Sequence, residues 1–383
     1  MGEVITNTLR FICYAIDKRL KCINNTIVDL AELIADQSQR MIYAMITFIK
    51  KMIYWGLVIG IAMLVFVNFL QTSGIGKNKR ASIDGVLNGT ASRPFVYRVF
   101  LPVIANALAP VLPAEQASLA GEKSKILLGN KFFMKQMNGR DYPRQVIIIL
   151  ALIYLSLIGF AVTMRYFTEE LGYSPAAQYA APVILVAGCA IFTTGFGYMY
   201  DFPQLFLFSL ALLLMYRQKW SWYLLALACA TLNKETSIFL YPVFALYFFA
   251  RLPRRHFFAL SAAQLALYGL LRGGLMFIFR NNPGSIVEWH LDDHLTTIHE
   301  IASKTPLELV YYAAAVLVIT ALVIYRWKDK PLFLRLALTI LPVFVVLYFL
   351  WGYPLEIRTL LETYPIVGML MIPTCFLSLK TEQ

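Results

Sequence analysis

"ATLNKETSIFLYP" (residues 230–242) sets an Asn, a Lys and a Glu inside a stretch that is otherwise apolar from Trp220 to Ala250. Lys234 and Glu235 are the only charges in that stretch. An ionisable side chain at membrane depth costs roughly 2.5–3.5 kcal/mol on insertion scales, so a chain that keeps two of them there must supply partners. The stretch is also too short for two crossings, each of which needs about twenty residues. It reads as two half-helices that rise to a polar turn and come back. Such a turn is tolerated only where protein or a wet cavity covers it.

The rest of the 383-residue chain fits a membrane setting. Hydrophobic residues make up 59% and charged residues 15%, with a mean hydropathy of +0.64, well outside the soluble range. Long apolar stretches with at most one charge recur at 52–71, 145–164, 177–197, 202–216, 257–279, 307–325, 332–350 and 362–379. The expected fold is an all-α polytopic membrane protein with about eight to ten membrane segments, the re-entrant pair included. No cleavable signal peptide is evident in the first fifty residues. The five cysteines show neither a disulfide framework nor metal-ligand spacing and read as small apolar fillers.

"YRQKW" (216–220), "RLPRRH" (251–256) and "YRWKDKP" (325–331) are short and basic, which places them in the cytoplasm. Lys50 and Lys51 before the first span agree. Threading the chain through then puts 72–144, 197–203, the "NKET" turn, 280–306 and 351–365 together on the outer side. The net charge of +12 reads as topology-setting and attraction to anionic lipid rather than nucleic-acid binding, with phosphate-bearing substrates as a second use.

Residues 1–51 form a separate segment. Ile5, Leu9, Ile12, Ile16, Leu20, Ile23, Ile27, Leu30 and Ile34 recur at three and four and make one apolar helical stripe. It suits the inner leaflet or a partner helix. Residues 52–379 form the polytopic domain, with outer loops 72–144 and 280–306. The stretch after Pro94 suggests a surface helix on the outer side, carrying Tyr97 and Arg98.

Several polar residues invite a chemical reading. Asp84 is the sole carboxylate between the first span and Pro113, beside turn-forming Gly85 and Gly89. Asp201 opens a span and serves equally as a first-turn acid or a functional one. Lys234 can hold a phosphate, and Thr236 and Ser237 can cap the second half-helix. Arg272 sits in a span beside two glycines. Glu356, Arg358 and Glu362 gather at the rim of the last span, with Glu356 and Arg358 on different helix faces. In "EWHLDDHLTTIHE" (288–300), His290, Asp292 and His294 are candidate ligands for a divalent metal, although the spacing matches no metal motif and the loop reads as a solvated acidic segment.

The order of "RPFVYRVFLP", "YDFPQLFLFSLALLL", "LNKETSIFLYP" and "LEIRTLLETYP" resembles bacterial integral-membrane glycosyltransferases of the family-C fold, over about residues 52–379. The resemblance implies a polyprenyl-phosphate-linked sugar as donor and transfer to a lipid, glycan or protein acceptor on the periplasmic or exterior face of the inner membrane. It makes Asp84 the base, although many members carry a pair of acids where this chain has one. Asp201 and Glu235 are the further catalytic candidates. Tyr97, Arg98, Tyr200, Asn233, Lys234, Arg272, Glu356 and Arg358 are the candidate substrate and phosphate contacts. No cofactor is required, beyond a divalent metal as an option. Two other readings stay open: a polysaccharide polymerase or ligase using lipid-linked oligosaccharide, and a transporter with a re-entrant substrate site.

Overall fold

A computed structural model describes residues 41–72, 79–113, 143–193, 197–285 and 289–376. It is all-α among the described residues, and six of its helices are long and apolar enough to cross a membrane. The chain divides into two units, Met1–Leu57 and Val58–Gln383. The described part of the first unit is the start of helix α1 (Met41–Thr72), where Met41, Phe48, Met52 and Ile53 are exposed. Lys50 and Lys51, expected ahead of the first span, lie within this helix. The apolar stripe of residues 1–40 lies outside the described residues.

In the second unit the remainder of α1 buries Val58, Ala62, Val65 and Phe69, spaced four, three and four residues apart, and leaves Met63 and Leu64 outside. That is one core-facing stripe on a helix whose other side suits lipid. The chain continues through a short α2 (Ile83–Leu87) and α3 (Phe100–Leu108) to α4 (Pro143–Glu170) and α5 (Pro175–Thr193). Helix α3 packs on α4. It carries no charge and is apolar on both sides, with Leu101 and Ala105 buried while Val103 and Leu108 are exposed, and Tyr97 and Arg98, expected on this surface helix, precede it.

Helix α6 (Asp201–Tyr216) forms the centre, packed between α4 and α7 (Trp220–Asn233). It is apolar all round and buried along nearly its whole length, as a helix without a polar face must be. The re-entrant pair follows. Helix α7 has 14 residues and α8 (Leu240–Phe248) has 9, about 21 and 14 Å at 1.5 Å per residue. Neither reaches across about 30 Å of hydrocarbon. Lys234 is extended (φ −158°) and ends α7, and a 3₁₀ turn (Glu235–Phe239) reverses the chain. Thr236 and Ser237 do not cap α8: Thr236 Oγ1 bonds Glu362, and Ser237 Oγ lies 2.9 Å from Thr231 Oγ1.

Helix α9 (Arg254–Ile278) returns across the bundle. Residues 280–306, expected to be a loop, hold helix α10 (Leu291–Lys304), whose Asp292 and Asp293 occupy the first turn favoured by the helix dipole. Helix α11 (Pro306–Ile324) follows, then α12 (Leu332–Ala337) and α13 (Ile340–Trp351) as one apolar stretch, and finally α14 (Tyr364–Cys375). Buried Lys330 secures one end. Its Nζ donates to the carbonyls of Leu322, Val323 and Leu370 at 2.6–2.7 Å and to Thr374 Oγ1 at 3.1 Å. It thereby satisfies last-turn carbonyls of α11 and ties them to α14.

Candidate functional site

The opposite end of the bundle holds a cavity of about 430 Å³. The strap before α3, Tyr198 just ahead of α6, the 3₁₀ turn between α7 and α8, the ends of α9 and α13 and the turn before α14 all contribute to it. One wall is apolar, built by Ile238, Phe239, Met276, Phe344 and Leu347. The other carries Arg98, Lys234, Arg272 and Arg358 with Glu235 and Glu356.

Each charge arrives by a local rule. Arg98 follows the 3₁₀ turn Phe95–Tyr97. The strap holding it is pinned by Asn282 Nδ2, which donates to the carbonyls of Gly89 (2.8 Å) and Ala91 (3.0 Å), and Gly89 takes the left-handed φ of +68° that the turn needs. Arg98 Nη2 donates to Glu235 Oε1 at 2.6 Å, and its guanidinium lies 4.0 Å from the Tyr200 ring centroid. Arg272 Nη2 stands 3.8 Å from Glu235 Oε2, with its guanidinium 5.3 Å from the Tyr97 ring. Glu235 therefore sits between two arginines. Arg98 Nη1 and Arg272 Nη1 are buried and find no hydrogen-bond partner among the described residues.

Lys234 and Glu235 turn to different partners, as neighbours in sequence should. Lys234 Nζ lies 2.8 Å from Glu362 Oε1, and Glu362 is fully buried. Arg358 forms a third group. Its Nη1 donates to Asp201 Oδ1 at 3.2 Å, its Nη2 donates to Glu356 Oε1, and its guanidinium stacks 4.3 Å from the Tyr198 ring. Glu356 and Arg358, expected to face apart, touch because they occupy an irregular turn rather than a helix; Leu355 just before them has φ +65°. Burial opposes the charge on Arg358, and Asp201 followed by Tyr200 and Glu356 outweighs it, holding the guanidinium well above the ordinary arginine range. Arg98 is likewise raised: burial again opposes its charge, and Glu235 dominates the favourable contacts.

The expected residues thus divide. Tyr97, Arg98, Lys234, Glu235, Arg272, Glu356, Arg358 and His290 line the cavity; Asp84, Tyr200, Asp201, Asn233, Asp292 and His294 do not. Asp84, expected as the base, occupies the first turn of α2, where Ser82 is the N-cap. Asp201 stands behind the wall, accepting from the Tyr198 N–H at 2.7 Å as well as from Arg358, and it holds the turn rather than reaching a substrate. Asn233 is buried for a structural reason. Its Nδ2 donates to the Tyr200 carbonyl (2.9 Å) and to Gln204 Oε1 (3.1 Å), fastening α7 to α6. Glu235 accepts both of its hydrogen bonds from Arg98 and has Arg272 beside it, an environment that favours its charged form and makes it a poor proton acceptor.

The metal reading of the α10 region does not hold geometrically. His294 Nε2 sits 3.1 and 2.9 Å from the carbonyls of Tyr348 and Gly352, which engages it as a donor, and Asp292 is exposed. Among the described residues no group of three His, Cys, Asp or Glu is placed to hold a metal. Glu362 is the residue that sequence reasoning left without a role, although a carboxylate at the rim of an apolar span was the signal for one.

No protein-family model, curated protein or solved structure matches this chain.

Proposed function

We propose that the protein is a membrane glycosyltransferase that takes a sugar from a polyprenyl-phosphate donor and passes it to a lipid, glycan or protein acceptor on the extracytoplasmic side of the bacterial inner membrane. The observation that carries this reading is the two-faced cavity. Apolar side chains and the guanidiniums of Arg98 and Arg272 line the same space, and the Nη1 of each has no acceptor among the described residues, a lining that suits an amphiphile with an anionic head. In transfer from a lipid phosphate, negative charge develops on the departing phosphate oxygen, and fixed guanidiniums aimed at that position lower the barrier. Arg98 and Arg272 supply them. Phe95, Tyr198 and Tyr353 also line the cavity and give a sugar aromatic surface to pack against. The tyrosines that hold the arginines keep this cationic wall rigid before substrate arrives.

The test uses the full-length protein in lipid nanodiscs. Undecaprenyl phosphate should bind saturably, and Arg272→Gln should weaken that binding about tenfold, the loss of one charge-assisted contact. Labelled undecaprenyl-phosphate monosaccharides should then release their sugar to an acceptor in a membrane extract. Absence of both binding and turnover refutes the proposal. Movement of the intact lipid between leaflets without cleavage replaces it with transport.

A further inference from the structure

The geometry points to α10 as an interfacial helix: its apolar stripe rests in the headgroup boundary of the bilayer and its acidic side faces water. This goes beyond the transferase reading and does not depend on it.

Both ends of α10 lie at the cavity end of the bundle. The N–H of its N-cap, His290, donates to the Leu350 carbonyl in the last turn of α13 at 2.9 Å, and His294 Nε2 sits 2.9 Å from the Gly352 carbonyl just beyond that turn. At the other end only Thr305 separates α10 from the start of α11. Lys330 holds the far end of α11, and Pro331 alone separates it from α12. From that shared base the 20 residues of Leu332–Trp351 and the 19 of α11 rise about 30 and 28 Å, so their tips are level to about 2 Å. Helix α10 has 14 residues and is about 21 Å long. A helix of that length joining two level tips lies along the membrane plane.

Its sequence is divided to match. Leu291, Leu295, Ile298 and Ala302 recur at four, three and four residues and form one stripe, and Leu295 and Ile298 are 58% and 43% exposed. Buried His294 lies about 70° around the helix from that stripe and faces α13. Asp292, Thr296, Glu300 and Ser303, all exposed, take the remaining arc. Protein, lipid and water thus each meet one side. The stripe leads into α11, which exposes Leu307, Val310 and Leu317. Exposed Trp289, Tyr311 and Tyr312 stand at the same end, and such rings settle at the membrane–water boundary. A strip about 21 Å by about 10 Å offers about 200 Å², far below the roughly 800 Å² a side of a specific protein interface, so lipid covers it rather than a second chain. Asp292, Asp293 and Glu300 outnumber Lys304, so burial of apolar side chains, not attraction to anionic lipid, holds the helix down. Because His290 begins α10 and also lines the cavity, that edge of the cavity sits at headgroup depth.

The experiment uses full-length protein with its five cysteines replaced, spin-labelled through Leu295→Cys, Ile298→Cys, Thr296→Cys or Ser303→Cys in phosphatidylcholine nanodiscs. The first two labels should collide with dissolved oxygen more than with a water-soluble nickel chelate and lie about 5–10 Å below the phosphates. The last two should show the reverse. The depths should not change when phosphatidylglycerol replaces part of the lipid. If the cysteine-free protein does not fold, Trp289→Phe in the native background carries the test. It should remove emission that lipid brominated high on its chains quenches more than lipid brominated near the chain ends. Nickel access at all four positions, or a Trp289 that neither brominated lipid quenches, overturns the proposal. So does shielding of the first two labels from both reagents, or spin–spin broadening there that dilution with unlabelled protein removes, since either puts protein on the stripe. None of these outcomes touches the transferase reading, and a failure to bind undecaprenyl phosphate leaves α10 where it is.

Discussion

Replacing Glu362 by leucine isolates the energetics of the re-entrant turn. Lys234 Nζ and Glu362 Oε1 are 2.8 Å apart, and the two residues are 5% and 0% exposed. With an effective dielectric of about 20, attraction at that distance is about 6 kcal/mol. Withdrawing each ion from water costs several kcal/mol, so the intact pair nets close to zero. Removing one partner keeps the cost of the other and forfeits the attraction. Glu362→Leu should therefore destabilise the fold by about 3–5 kcal/mol, and Lys234→Met by a similar amount. The double variant replaces the pair by two apolar side chains and should return to within about 1 kcal/mol of the starting protein, leaving a coupling of at least about 5 kcal/mol. Sodium dodecyl sulfate titration of the protein in mixed micelles, followed by tryptophan fluorescence, measures all four stabilities. If both single variants stay within about 1 kcal/mol of the starting protein, or the double is no better than the worse single, the buried-pair reasoning fails.

Three further outcomes follow from other contacts. Lys330→Met takes the side-chain donor from the Val323 carbonyl and breaks the tie to Leu370, while Leu322 keeps Thr374 Oγ1; it should cost about 1–3 kcal/mol, read as a lower melting temperature in detergent, and an unchanged melting temperature contradicts the described network. Arg358→Lys retains the charge but loses the fork that serves Asp201 and Glu356 together, and should cost about 2–3 kcal/mol, whereas full retention of stability in the same titration would show that the geometry is unimportant. Gly188→Ala would put a methyl 2.0 Å from Tyr364 Oη, which donates to the Leu185 carbonyl at 2.8 Å; it should cost about 1–3 kcal/mol, and adding Tyr364→Phe should recover part of that in a melting experiment, a recovery that a clash elsewhere would not give.

The membrane architecture could be read from the sequence because lipid imposes long apolar segments. The re-entrant pair was legible for a similar reason: a charged turn in a segment too short to cross twice leaves one geometry. Lys234, Glu235, Arg98, Arg272 and Arg358 were legible as a group because charges among apolar residues must converge on something. Their pairing was not. Lys234 meets Glu362 and Glu235 meets Arg98 only after distant segments pack, and no local spacing encodes that. Asp84 drew notice by being the one acid between the first span and Pro113, but composition says nothing about where a side chain is placed. Asn233 was misread because a buried amide and a ligand-binding amide look alike in sequence. Residues 280–306 were taken for a loop since their polar residues hide a helix that uses His294 to fasten itself to α13.

The lysine at the far end has a further consequence for depth. Lys330 draws the carboxyl ends of α11 and α14 level with each other. Helix α11 has 19 residues and α14 has 12, which makes them about 28 and 18 Å long. The shorter helix thus stops about 10 Å below the start of the longer one, and Glu362 stands just above that lower rung with Lys234 on top of it. Glu362, two residues before α14 begins, therefore holds Lys234 at the depth where the shorter helix starts rather than at the level of the longer one.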